Sequence, residues 1–164
     1  MAFADSYLGR LRRAIGSELV LMPGAMVVLR RADGRVLFTQ RADDGTWCFP
    51  AGAAEPGGSF ARTAVEELRE ETGVAVAERD LVPFATLSEA ELHTIVYPNG
   101  DRTHCFAVCF LAERWDGEPR PDAGETTACE FADLHRPPAP LHAPTAHVLE
   151  LLLAYLETNE LQAR

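Results

Sequence analysis

The chain has 164 residues, of which 47% are apolar and 24% are charged, and its formal net charge is −10. This length and composition suit one globular domain with a hydrophobic core. The excess of acid argues against a nonspecific nucleic-acid binder and against a binder of anionic membranes, since both need a basic surface. No apolar run approaches the ~20 residues of a transmembrane helix and no signal peptide is evident, so we expect a cytoplasmic protein without membrane contact.

The first third of the chain predicts one helix and two strands. Apolar spacing favours a helix over Asp5–Ile15, ended by Gly16, whose three arginines we expect to be solvated. A strongly apolar strand follows, with a break expected at Pro23-Gly24, and a hairpin turn at Ala32–Gly34 leads into a returning strand. The predicted strands are Leu19–Leu29 and Arg35–Arg41.

A short helix with a glycine-rich entry is the most informative stretch of the chain. Ser59 is a good N-cap and Gly73 a good C′ residue, so the helix should lie between them. Residues at i, i+3, i+4 and i+7 form an apolar stripe on one side, and three glutamates at i, i+3 and i+4 form a cluster on the other. The apolar residues are Ala61, Ala64, Val65 and Leu68, and the acids are Glu67, Glu70 and Glu71.

The acidic cluster runs against two rules of helix stability. Like charges one turn apart repel, and negative charge near a helix C-terminus opposes the macrodipole. Clustered carboxylates suit a hard divalent cation, which prefers oxygen ligands and cancels the repulsion. A solvated acidic face on an acidic protein is the alternative interpretation.

The rest of the chain predicts further strands and a final helix. Asn99-Gly100 is a strong hairpin signal between two of these strands. The expected strands are Val74–Leu87, Leu92–Tyr97, His104–Glu113 and Ala128–Phe131, followed by a helix over residues 142–158 and a frayed end from Glu160. Two amphipathic helices flanking a strand-rich middle predict an α/β fold in which they cover opposite faces of a mixed sheet.

Cysteine and histidine give no chemical signal in this sequence. The four cysteines lack Cys-x-x-Cys spacing, which favours reduced core thiols over a zinc site. None of the five histidines stands where its neighbours suggest chemistry, so we expect them on the surface or in strands.

The stretch 52–74 resembles the Nudix box of the Nudix hydrolases. That box reads Gly, five residues, Glu, seven residues, Arg-Glu-aliphatic, one residue, Glu-Glu, one residue, Gly-aliphatic. Two positions depart from it, because Gly58 replaces the first glutamate and Glu66 replaces the arginine. The matching residues are Gly52, Glu67, Leu68, Glu70, Glu71, Gly73 and Val74.

The resemblance implies a Nudix-type α/β/α sandwich, with residues 1–164 as a single domain that includes an N-terminal helix over 1–17. It implies a pyrophosphohydrolase that uses Mg²⁺ or Mn²⁺ to direct water at the diphosphate bond of a nucleoside diphosphate linked to a further group X. Glu67, Glu70, Glu71 and the Gly52 carbonyl would hold the metal, and Glu70 or Glu71 would act as base. X can be a nucleotide, an oxidised nucleotide, ADP-ribose or a nucleotide sugar.

Two residues outside the box have expected roles that rest on the same resemblance. Arg41 stands where similar enzymes often contact substrate phosphate, and its alternative is an exposed strand-end cation. Glu125 is the candidate for a later acid that joins the metal cluster or acts as base, and its alternative is a loop carboxylate. Small members of the family are often homodimers, so a homodimer is an expectation of the same kind.

The two departures from the box bear on activity. The missing glutamate at position 58 contributes to the metal shell in family members that carry it, and the missing arginine at position 66 orients the catalytic glutamates. The competing hypothesis is a non-catalytic Nudix-fold module that binds a nucleotide or a protein. If the site is active, there are two possibilities. Either Gly58 and Glu66 are losses that leave the rest of the site intact, or Glu125 or another acid has replaced the missing glutamate of position 58.

Overall fold

The computed structural model describes residues 5–97, 99–122 and 124–164. The elements in chain order are α1 (Tyr7–Ile15), β1 (Val20–Leu29), β2 (Val36–Arg41), β3 (Trp47–Cys48), β4 (Ala51–Ala53), α2 (Phe60–Thr72), β5 (Val82–Leu87), α3 (Ala90–His93), β6 (Thr94–Val96), β7 (Arg102–Ala112), β8 (Thr126–Ala132), α4 (Ala143–Thr158) and β9 (Gln162–Ala163). The strands form a six-stranded mixed sheet with the order β4-β1-β7-β5-β9, in which β6 also pairs with β7, and a three-stranded sheet with the order β3-β2-β8.

The centre of the large sheet is the pairing of β1 with β7. The two strands run parallel, with Val20 opposite Thr103 at one end and Leu29 opposite Ala112 at the other. Strand β4 adds to the outer edge of β1, and β5 and β6 lie along the far edge of β7. Alternate residues of β1 therefore point to opposite faces of the sheet.

Two hydrophobic clusters cover those faces. Ala64 and Leu68 of α2 pack with Val27 of β1 on one face, while Val148 and Leu152 of α4 belong to the cluster on the other face. All four helix residues are fully buried. The predicted α/β/α arrangement, with the two helices on opposite faces of a mixed sheet, is confirmed.

Several predicted boundaries were wrong. Strand β1 runs without a break through Pro23, which remains exposed while its carbonyl accepts a hydrogen bond from the Ala54 N–H. The turn before β2 forms, with Gly34 at φ 85°, but β1 and β2 then enter different sheets. Among the described residues, the only backbone pairing between these two segments is the isolated bridge between Arg30 and Val36.

Strands predicted after the box were too long, and the chain end is ordered. Residues Glu78–Asp80 form a 3-10 turn, so strand structure starts only at Val82. Helix α3 occupies the first part of the strand predicted at Leu92–Tyr97. The end expected to fray forms β9, in which Gln162 pairs with Ala85. Sequence periodicity missed these features because tertiary pairing decides them.

Helix α1 is anchored to the sheet through an arginine that we expected to be solvated. Arg12 is 8% exposed, and its guanidinium donates to the carbonyls of Glu18 and Arg102, both at 2.6 Å, and to the Thr103 hydroxyl at 2.8 Å. Asp101 lies 3.7 Å away as its counter-charge. The prediction was wrong because helical periodicity cannot show that two strand ends lie against this side of α1.

The four cysteines are free thiols, with Cys109 buried and the other three half-buried. In the part of the chain that the structure describes, no helix has both the length and the apolar character needed to cross a membrane.

Candidate active site

Helix α2 carries the candidate catalytic glutamates and has the predicted ends. The Ser59 hydroxyl caps its N-terminus by accepting a hydrogen bond of 3.1 Å from the Arg62 N–H. Gly73 ends the helix in the left-handed region at φ 72°, where glycine is least strained. The buried stripe of Ala64 and Leu68 fixes the rotation of the helix, so the acidic side is turned toward β4 and the cleft beside it.

Glu71 is the most deeply placed of these glutamates. Its side chain is 9% exposed, accepts a hydrogen bond of 3.0 Å from the Ala51 N–H of β4 and lies 3.4 Å from the Thr39 hydroxyl of β2. Burial raises the pKa of Glu71 to about 8, and the charges of Glu67 and Glu125 act in the same direction. This carboxyl group is thus held in place by both sheets and holds a proton near neutral pH.

Glu67 lies directly against the backbone of Gly52. A β-carbon at position 52 would overlap the Glu67 carboxylate, so the contact depends on glycine. Position 24 of β1 also requires glycine, because a β-carbon there would lie 2.6 Å from the Gly52 carbonyl oxygen. Burial raises the pKa of Glu67 to about 7, followed by repulsion from Glu70 and Glu125.

The other two predicted acids, Glu70 and Glu125, are exposed residues that line the same cleft. The backbone of Glu125 is fixed by its N–H, which donates to the Asp122 carboxylate at 3.1 Å, and by its carbonyl, which accepts from the Ala42 N–H at 2.8 Å. Because Glu125 raises the pKa of both Glu67 and Glu71 through its charge, the loop after β7 and helix α2 contribute to one acidic site.

The carboxylate and carbonyl oxygens of this site are the type of ligand that a hard divalent cation prefers, although they do not form a complete coordination shell. Within residues 5–97, 99–122 and 124–164, no three acidic, histidine or cysteine side chains converge as the ligands of a metal ion. Glu71 is buried and Glu67 is half-buried, and the charge of Glu67 disfavours ionisation of Glu71, so a cation that bound both carboxylates would displace protons. Because neither Gly24 nor Gly52 carries a β-carbon, no side chain from these two positions crowds the Gly52 carbonyl.

Arg41, at the end of β2, lines the same cleft. Its Nε donates to Asp43 at 2.9 Å, and Asp44 lies 3.6 Å away. The arginine therefore engages two acids of the β2–β3 loop. Its contact with substrate phosphate remains a prediction.

The departures from the box have local structural explanations. Glu66 pairs with Arg62 one helical turn earlier at 2.8 Å, which compensates its charge. Gly58 closes a turn in which its N–H donates to the Glu55 carbonyl at 2.9 Å. Glu55, three residues earlier, lines the cleft and accepts a hydrogen bond of 2.7 Å from the Tyr7 N–H of α1.

The acidic site opens into a cleft of about 1070 Å³. Its far wall contains residues that the sequence did not single out. They are Arg12, His93, Tyr97, His142 and Thr145. His93 is 2% exposed and its ring lies 5.4 Å from that of His147 on α4, so the prediction that the histidines are surface or strand residues was wrong for His93. Periodicity gives no signal for such a pair, because α3 and α4 meet only in the folded chain.

Comparison with known proteins agrees with this geometry. The model of the NUDIX domain family matches residues 20–152, and the chain belongs to that family. A MutT NUDIX hydrolase from Burkholderia pseudomallei is similar in structure, with a TM-score of 0.68 and 25% identity over 81% of this chain and 98% of the other. An ADP-ribose pyrophosphatase from Streptococcus suis 89-1591 has a TM-score of 0.65 at 24% identity, over 87% and 97% of the two chains.

One curated relative matches a shorter stretch. It is an RNA pyrophosphohydrolase from Halorhodospira halophila (strain DSM 244 / SL1), 36% identical over 56 residues. The match spans 34% of this chain and 31% of the relative. The family match and the solved structures therefore agree on the Nudix fold.

Proposed function

We propose that the protein, as a single domain over residues 1–164, hydrolyses the diphosphate bond of a nucleoside diphosphate linked to a further group X. The observation that carries the proposal is the pair of acids, half-buried Glu67 and buried Glu71, whose carboxyl groups lie against the backbone of β4 and have raised pKa values. Both stand at matching positions of a box that resembles the family's catalytic motif.

The same acids suit Mg²⁺ or Mn²⁺, held by Glu67, Glu70, Glu71 and the Gly52 carbonyl. When bound, such a cation neutralises phosphate charge and lowers the pKa of the attacking water. Two hydrogen bonds from separate sheets fix Glu71, which orients its carboxylate before substrate arrives. Glu70 or Glu71 accepts the proton of the attacking water, and Glu125 adds a further carboxylate from the opposite loop.

Arg41 supplies the positive charge for substrate phosphate in this proposal. Arginine binds phosphate bidentately, as it binds carboxylate, so a substrate phosphate can replace the exposed Asp43 and Asp44 as its partner. Since both acids are exposed, exchanging them for phosphate leaves no charge buried and unpaired.

A second candidate function is a non-catalytic module that binds a nucleotide or a protein. Gly58 and Glu66 favour it, because one removes an acid from the box and the other removes the arginine. The two functions differ in one measurement, which is turnover.

The deciding experiment measures the release of phosphate, pyrophosphate or nucleoside monophosphate from a panel of substrates with Mg²⁺ and with Mn²⁺. The panel contains nucleoside triphosphates, oxidised nucleotides, ADP-ribose, nucleotide sugars and a 5′-triphosphorylated RNA, the last because one relative is named an RNA pyrophosphohydrolase. Turnover that Glu67→Gln and Glu71→Gln abolish, and that Glu157→Gln on the exposed side of α4 retains, supports the enzyme. Tight nucleotide binding without turnover supports the module.

Three further expectations belong to the same proposal. The net charge of −10 favours a small nucleotide over a nucleic acid as ligand. A homodimer and a cytoplasmic location are predictions that gel filtration with light scattering and cell fractionation would test.

A further inference from the structure

Two buried polar side chains on the far wall of the cleft have no hydrogen-bond partner among the residues that the structure describes. They are His93, through Nε2, and Thr145, through Oγ1. His93 is 2% exposed and Thr145 is 0% exposed, and both residues belong to the lining of the cleft. Buried polar groups are normally paired, so two unpaired groups on one wall need a reason.

The fold brings these residues together from distant parts of the chain. His93 ends α3, which lies between β5 and β6 at the edge of β7. Thr145 lies in the first turn of α4, two residues before His147, whose ring contacts that of His93 at 5.4 Å between centroids. The wall next to them is apolar and contains Leu87 of β5 and Ala107 of β7, which pair across the strands.

The wall stands at a definite distance from the acidic site. Gly52 pairs with Ala25, Ala25 with Val108, and Val108 with Thr86, the neighbour of Leu87. Three strand spacings of about 4.8 Å separate β4 from β5, a span of about 14 Å. With the proposed substrate's phosphates at Glu67, its base would extend toward this wall.

The chemistry of the wall suits a neutral, planar group. Arg12, one of the cations in the cleft lining, already has its guanidinium bonded to backbone carbonyls and to Thr103. An imidazole nitrogen and a hydroxyl each donate or accept a hydrogen bond, and apolar side chains beside them accept the face of a ring. Rotating either side chain toward a ligand breaks no hydrogen bond, so a ligand gains two contacts without displacing any.

We propose that His93 and Thr145 determine base specificity by hydrogen bonding to the edge of the substrate's nucleobase. This inference rests on the proposed function for the identity of the ligand, and it does not require turnover. It places base recognition on α3 and α4, opposite the acids of α2.

The test measures binding rather than hydrolysis, so that it can fail independently of the proposed function. Dissociation constants are determined by calorimetry for the α,β-methylene analogues of ADP, GDP, CDP and UDP with Mg²⁺. The wild-type protein should prefer one base. His93→Phe keeps a ring and Thr145→Val keeps the shape of the side chain, and each should weaken binding of that base about tenfold, as the loss of one hydrogen bond does.

The other bases should be affected less, so discrimination should fall in both variants. His135→Phe and Thr158→Val are matched controls, since both residues are exposed and neither lines the cleft. Thermal melting checks folding, and Thr145→Val should melt no lower than wild type because it removes an unpaired buried hydroxyl.

Absence of analogue binding, equal binding of all four bases by wild type, or unchanged discrimination in both variants would each overturn the inference. Binding that discriminates in wild type and not in the variants supports it, even if the substrate panel shows no turnover and the proposed hydrolysis fails.

Discussion

Arg62 Nε donates a hydrogen bond of 2.8 Å to Glu66 Oε1 across one turn of the box helix. Glu66 stands where the family's box has arginine, so this acid has acquired a basic partner of its own. An exposed pair at this spacing contributes only about 0.2–0.5 kcal/mol to helix stability. Its effect is to keep the extra acid from adding an uncompensated charge beside Glu67 and Glu70.

This pair leads to a prediction about the two departures from the box. Restoring the family residues with Gly58→Glu and Glu66→Arg should not raise hydrolysis, because an arginine at 66 would lie against Arg62 and lose the present partner. Glu125→Gln should lower kcat/KM by about 10²-fold or more, the usual scale for a group that assists proton transfer. Steady-state kinetics on the best substrate of the panel compare the two variants. A gain on restoration together with an unaffected Glu125→Gln would show that the departures are simple losses.

Divalent cation should stabilise the folded protein through the acidic site. Mg²⁺ or Mn²⁺ binds the assembled carboxylates and not the unfolded chain, which at a hundredfold excess over Kd contributes about 2.7 kcal/mol. We expect the melting temperature at pH 8 to rise with millimolar cation in wild type and in Glu157→Gln. The rise should be smaller in Glu67→Gln and Glu70→Gln. Equal behaviour of all four proteins would refute the metal site.

In the metal-free protein, stability should depend on pH through Glu71. Burial raises its pKa to about 8 in the folded state, whereas the unfolded group titrates near 4.5. Between these values the folded state binds more protons than the unfolded state, so the contribution of Glu71 to stability falls as pH rises through this window. Above pH 8 the loss is complete.

The variant Glu71→Gln isolates this effect from other titrating groups. Its amide oxygen still accepts the Ala51 N–H but does not ionise. Denaturant unfolding in EDTA at pH 5 to 9 should show the difference in unfolding free energy between variant and wild type shifting in favour of the variant as pH rises. A difference that stays constant with pH would contradict the raised pKa.

Arg12 should contribute to stability through helix α1. Arg12→Met keeps the apolar part of the side chain but leaves the buried Thr103 hydroxyl without the guanidinium as its donor. Each buried polar group left unpaired costs about 1–3 kcal/mol. Arg10→Met, which changes an exposed arginine of the same helix, is the control. Thermal melts in which both variants match wild type would show that α1 docks without Arg12.

The sequence predicts the locally determined parts of the fold and of the acidic site, but not the contacts that depend on distant pairing. Ser59, Gly73 and the stripe containing Ala64 and Leu68 define α2 in the sequence because capping and periodicity are local properties. The placement of α2 and α4 on opposite sheet faces also followed from their amphipathic patterns.

Features that depend on distant pairing were missed. Nothing near His93 in the sequence indicates that α4 covers it, and nothing near Arg12 indicates that the end of β7 supplies its acceptors. The hydrogen bond from Ala51 to Glu71 likewise exists only because β4 pairs with β1. These contacts connect elements whose order along the chain differs from their order in the sheet.

The parallel pairing of β1 with β7 also has a consequence for how the protein is made. Val20 and Thr103 are partners, although roughly eighty residues separate them along the chain. During synthesis β1 cannot pair with β7 until most of the polypeptide has left the ribosome. Sheets that depend on such distant contacts form slowly, and an apolar strand that stays unpaired can associate with other chains. Helix α2 and strand β4, which lie close to β1 in sequence, are the first segments able to shield it.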